Sequence, residues 1–190
     1  MRRISAHYYL DGMEVLHKYP IITIENGIIV SIECHATLPE IAGLEFYSGI
    51  LLPLFIDVVD FREPKADFSR LLASPIVAEF VMDDNTQINQ EIPLHLQAKI
   101  KSVCLDHSDV EILNKSGVTS VVKKINLLVE QGYFKTAQNG VNYFTSQLSK
   151  RYFMSLREVS IGCRGEFLIY SDLLFIQDAS FNELKLRRLL

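Results

Sequence analysis

Apolar and polar positions alternate with a period of two over much of the first sixty residues, and that rhythm predicts strands. Residues 4–10 and 13–18 flank Asp11-Gly12, and residues 21–25 and 28–33 flank Asn26-Gly27. Asn-Gly accepts the positive φ angles of a two-residue turn, so 21–33 is predicted as a β-hairpin. Residues 49–61 form a longer apolar run, interrupted by Pro53, Asp57 and Asp60. Beyond it the rhythm changes, to a short helix over 68–72, a strand over 76–82 and a polar loop over 83–90. Leu94, Leu96, Ile100, Val103 and Cys104 predict an amphipathic helix over 93–104, with Pro93 in its first turn. A second helix is predicted over 110–113, with Ser108 as its N-cap. A third is predicted over 119–131, where Val121, Val122, Ile125, Leu128 and Val129 recur at spacings of three and four before Gly132. Residues 133–145 read as a hairpin closed around Asn139-Gly140, and strand character returns over 167–170 and 173–176.

Composition narrows the class of protein. A chain of 190 residues, 48% hydrophobic, supports a packed core in one domain or two small ones. A net charge of -4 argues against a uniformly basic nucleic-acid coat. The charged start Met1-Arg2-Arg3 is followed by no unbroken apolar stretch, and no apolar run approaches the roughly 18 residues of a membrane span. A cytoplasmic protein without membrane contact is expected. Cys34, Cys104 and Cys163 lie far apart without a CxxC pair, which points to neither a disulfide framework nor a cysteine zinc site.

The run Gly49-Ile50-Leu51-Leu52-Pro53-Leu54-Phe55-Ile56-Asp57-Val58-Val59-Asp60-Phe61 resembles the first barrel strand of the metal-dependent amidohydrolase superfamily, G-x-L-x-P-G-F-[IV]-[ND]-x-H-x-H. Gly49, Leu51, Pro53, Phe55, Ile56 and Asp57 match, while Val59 and Phe61 stand where that family has its two metal-binding histidines. Asp11-Gly12, Ile22, Ile24, Gly27, Ile29 and Ile32 similarly fit the opening of the small β-sandwich that accompanies those barrels, and Ser160-Ile161 with Gly165 loosely resembles its C-terminal part. The resemblance implies a sandwich assembled from both ends of the chain. Only about 97 residues, 62–158, lie between those ends, whereas a (β/α)8 barrel takes about 250. The expected fold is therefore α+β: an amidohydrolase-like β-sandwich from 1–61 and 158–190, with a helix-rich middle segment, 62–157, in place of a complete TIM barrel. The implied protein is catalytically inactive, with no catalytic residue, no metal ligand and no cofactor, because valine and phenylalanine cannot coordinate a metal. It would act through binding or protein interaction. The apolar strand 51–59 must be covered, by other elements or by a second subunit, so a homo-oligomer or a protein partner is expected. An amidohydrolase of C–N bonds with a reorganised metal site is a further alternative.

Residues 109–145 also resemble a winged helix-turn-helix, in which the 119–131 helix would enter the major groove of DNA. Lys115, Lys123, Lys124 and Lys135 are its candidate phosphate contacts, and over 108–151 the charge balance is about +3. The competing expectation is an amphipathic helix packed on a hairpin, with lysines on its wet face. None of His7, His17, His35, His95 and His107 falls in an HxH or HExxH spacing. Asp57 and Asp60 read as buried, paired carboxylates or as loop residues. Asp106-His107-Ser108 cannot form a relay triad between adjacent residues, and Glu63, Asp67 and Glu79 read as solvated carboxylates.

Overall fold

A computed structural model describes residues 1–60, 68–85, 92, 94–117, 119–152, 154–173 and 181–189. Five strands open the chain: β1 (Arg2–Leu10), β2 (Leu16–Lys18), β3 (Pro20–Glu25), β4 (Ile28–Cys34) and β5 (Leu44–Pro53). The Asn26-Gly27 hairpin forms as predicted, with φ of 50° and 78° at the two turn residues. With β9 (Phe167–Tyr170) and β10 (Leu186–Arg188), these strands build one seven-stranded sheet in the order β10-β9-β5-β1-β3-β4, β2 pairing with β1. Strands from both ends of the chain thus share a sheet. Within it β1 and β5 run parallel, and β9 pairs antiparallel with β5.

The central strands are buried on both faces, which explains their unbroken apolar sequences. Ile50, Leu52, Leu168 and Tyr170 join one hydrophobic cluster, and Leu51, Phe167 and Ile169 join the other. Gly49 makes the β5–β9 approach feasible: it has φ of 138°, and a Cβ there would sit 2.3 Å from the Tyr170 carbonyl oxygen.

After β5 the chain turns directly into a second, parallel sheet, β6 (Phe55–Val58), β7 (Val77–Asp83) and β8 (Ile100–Val103). Its helical cover comprises α1 (Phe68–Leu72), α2 (Leu94–Gln97), α3 (His107–Ser116), α4 (Val121–Glu130), α5 (Ala137–Asn142), a π-helical turn at Tyr143–Gln147 and α6 (Leu148–Arg151). The run expected as one apolar strand over 51–59 divides at Leu54 between β5 and β6, which belong to different sheets, and residues 51, 52, 54–56, 58 and 59 are all at most 1% exposed, so it is covered by other elements of the chain.

Three local expectations are corrected. Residues 93–104 are not one amphipathic helix: α2 is short, its Leu94 is 84% exposed, and Ile100–Val103 pairs with β7 instead. An apolar pattern of that length fits either state, and strand pairing decided it. Residues 133–145 are not a hairpin. Thr136 and Asn139 form a capping box that starts α5, and a Cβ on Gly140 would meet Ile125 Cγ2 at 2.7 Å. Gly140 thus serves close helix packing rather than a turn. Asp106, not Ser108, caps α3: its carboxylate accepts from the Asp109 N–H at 3.0 Å, and the Ser108 hydroxyl donates to it at 2.6 Å. The strand expected over 173–176 lies outside the described residues except for Leu173.

Candidate functional site

A fully buried carboxylate lies at the C-terminal end of β6. Asp57 is 0% exposed, and the Lys124 ammonium, 1% exposed, donates to its Oδ1 at 2.7 Å. The same ammonium donates to the Val58 carbonyl. Consecutive strand residues aim their backbone groups to opposite sides. Val59 N–H points to β7, where it donates to the Val81 carbonyl at 2.9 Å, so the Val58 carbonyl points to the open side of β6. Lys124 therefore supplies, from a helix, the donor that a neighbouring strand would have supplied.

Helix geometry puts Lys124 there. Val121, Lys124, Ile125 and Leu128 occupy one inward stripe of α4, at spacings of three and four. Asp57 Oδ2 has no hydrogen-bond partner among the described residues. Burial pushes the Asp57 carboxyl above the usual carboxylate range, and the Lys124 charge opposes that shift. Val59, at the position of the family's first metal-binding histidine, is 0% exposed and packed in the main core. Phe61, at the second position, lies outside the described residues, as do Glu63 and Asp67.

Lys115, Lys123 and Lys135 are exposed, while Lys124 is not. The expectation that the α4 lysines share a wet face is thus corrected for Lys124, whose ammonium is enclosed with Asp57. Lys115 lies over the Tyr133 ring, 5.7 Å from its centroid. The wing of a winged helix was expected from 133–145, which is helical over Ala137–Asn142.

Other candidate side chains have structural partners. Glu79 is not solvated but paired: it takes the Arg157 guanidinium at 3.0 Å and lies 3.3 Å from the Lys101 ammonium. His17 meets Asp11 at 2.7 Å and stacks on Tyr9, and the Gly49 N–H donates to His7 Nδ1. Among the described residues no three of His, Cys, Asp and Glu gather as a metal site. Cys34 and Cys104 are exposed and Cys163 is buried, its sulfur 3.1 Å from the Ser160 hydroxyl. A second buried carboxylate, Asp109, was missed in the sequence. It accepts from the Arg151 guanidinium at 2.6 Å and from the Tyr143 and Tyr152 hydroxyls, tying α3 to the last helical turns. No helix among the described residues is long and apolar enough to cross a membrane.

No protein-family model and no curated protein matches this chain. Among solved structures it is similar to an amidohydrolase from Brucella melitensis, at 12% identity and a TM-score of 0.28, over 68% of this chain and 22% of that one. It is also similar to N-acetyl-D-glucosamine-6-phosphate deacetylase from Mycobacterium smegmatis, at 12% identity and a TM-score of 0.32, over 74% of this chain and 31% of that one. A. niger ochratoxinase gives 11% identity and a TM-score of 0.31, over 69% and 44% of the two chains. The chain thus spans about a fifth to under half the length of these proteins.

Proposed function

We propose that this chain is a non-catalytic, amidohydrolase-like protein that acts by binding. The observation that carries this reading is the filling of the strand end: Lys124 neutralises Asp57, and Val59 contributes hydrocarbon to the core where the family pattern calls for a metal-binding imidazole. A hydrolytic metal needs several converging donor side chains and an open position for water. An ammonium enclosed with the one carboxylate of β6 opposes a second cation there by charge and by volume.

The two-ended sheet fits the scaffold half of the resemblance, since β5 and β9 come from opposite ends of the sequence and pair over four residues. On this reading the ion pair is a scaffold device that closes the open side of β6. Incubation with a panel of N-acyl amino acids, cyclic amides and N-acetyl sugars, with zinc or manganese added, tests the assignment. No turnover above a heat-denatured control is expected. Turnover that disappears in an Asp57→Asn variant of unchanged fold would overturn it in favour of a hydrolase with a reorganised site.

A further inference from the structure

A cleft of about 310 Å³ opens on the seven-stranded sheet, away from the Asp57–Lys124 pair, lined by Met1, Arg3, Ile21, Thr23, Glu33 and Ile41. Its layout follows from strand register. Arg3 on β1 pairs with Thr23 on β3, and Thr23 pairs with Ser31 on β4. Glu33 lies two residues further along β4, opposite Ile21, so side chains 3, 21, 23, 31 and 33 share one face of the sheet. The segment 35–43 connects β4 at the sheet edge to β5 beyond β1, and its Ile41 forms a wall.

The charges of this cleft are unused. Neither the Arg3 guanidinium nor the Glu33 carboxylate has a hydrogen-bond or ion-pair partner among the described residues, in contrast to neighbouring Arg2, which is held by Glu45 at 2.8 Å. Between them lies a floor of Ile21, 5% exposed, beside the Thr23 hydroxyl. Arg3 and Glu33 stand two strand spacings apart, about 10 Å across the sheet, and two residues apart along it. Both residues line the cleft, and no ion pair joins them.

From this we infer that the cleft binds a short zwitterion with an apolar body, of dipeptide length. Its carboxylate would pair with Arg3, its ammonium with Glu33, and its side chains would lie against Ile21, Ile41 and Met1. A single amino acid fits less well, because its two charges are separated by one carbon, whereas the termini of an extended dipeptide lie about 7 Å apart. The volume falls at the small end of ligand sites, about 300–1,000 Å³, which favours a small molecule over a folded partner. A guanidinium matches a carboxylate in two parallel hydrogen bonds, so Arg3 sets the ligand's orientation.

The inference rests on the binding reading above and gives it a ligand class. Leucyl-leucine is titrated into the isotope-labelled full chain, with amide NMR as readout and mass spectrometry of the dipeptide afterwards. Shifts confined to the neighbourhood of Arg3, Thr23, Glu33 and Ile41 are expected. Acetyl-leucyl-leucine, leucyl-leucinamide, and the Arg3→Gln and Glu33→Gln variants should each bind about tenfold or more weakly, since each loses one charged pair. The capped dipeptides keep the test valid should a variant fail to fold. No shifts at millimolar dipeptide, or equal binding of capped and free forms, would overturn the assignment and leave the non-catalytic reading standing. Cleavage of the bound dipeptide would instead overturn the non-catalytic reading, and the cleft would stand.

Discussion

Replacing Lys124 by methionine probes the buried pair most sharply. Methionine approximates the length and apolar volume of the lysine stem but removes both hydrogen bonds of the ammonium, to Asp57 and to the Val58 carbonyl. Asp57 is wholly buried, and its second oxygen has no hydrogen-bond partner among the described residues. Breaking a buried ion pair by removing one member costs about 3–5 kcal/mol. With a urea m-value near 2 kcal/mol/M, the unfolding midpoint should fall by about 2 M. Asp57→Val together with Lys124→Met removes both charges and leaves only the Val58 carbonyl without its donor, at about 1–3 kcal/mol. The double variant should therefore be more stable than Lys124→Met alone. The deficit of the single variant should also depend on pH. Burial raises the Asp57 carboxyl, and a carboxyl with a raised folded-state value loses stability as pH climbs from the unfolded value, about 4, through the folded one. In the absence of Lys124 the loss should be small in acid and largest near neutrality. Urea unfolding followed by circular dichroism measures all three quantities. A single variant that loses under about 1 kcal/mol, or a double variant less stable than the single, would refute the account of the pair.

Gly49→Ala should lose at least about 2 kcal/mol in the same assay, because φ of 138° and a backbone oxygen 2.3 Å away leave a Cβ no room; wild-type stability would show that β5 and β9 are not so close. Gly12→Ala should break the Glu158 cluster, since its Cβ would lie 2.1 Å from Glu158 Oε2, which is held by Lys150 at 2.9 Å and the Ser146 hydroxyl at 3.0 Å. Glu158, despite an opposing desolvation that is the largest single influence, is held below the usual range by Lys150, Ser160 and Ser146. A lowered carboxyl contributes stability above its unfolded value that is lost as pH falls through the folded one, so Glu158→Gln should flatten the acid limb of stability against pH below about pH 4.5. Asp109→Asn should lose about 1–3 kcal/mol by weakening the acceptor shared by Arg151, Tyr143 and Tyr152, and should increase hydrogen exchange in α3.

Much of the sheet was legible because its signals are local. Asn26-Gly27 dictates its own turn, and the apolar runs of β5 and β9 report burial on both faces. Helix α4 was legible from its stripe, yet the same stripe contains Lys124, and a lysine there signals either an error in the phase or a buried partner. Its partner is 67 residues earlier, a distance that no local pattern encodes. Strand β8 was missed because four residues of mixed polarity acquire strand geometry only through β7. Helix α5 was missed because Asn139-Gly140 serves capping and close packing in one setting and a turn in another. The Arg3–Glu33 cleft depends on the register of three strands, so neither residue stood out in the linear sequence.

The central claim, that ammonium and hydrocarbon fill the strand end, is tested most directly by metal analysis after expression and purification in zinc-, manganese- and iron-supplemented medium without chelators. The account predicts well under one equivalent of any of these metals, and no change on Asp57→Asn. One equivalent per chain, lost when Asp57 is replaced by asparagine in a folded variant, would contradict it.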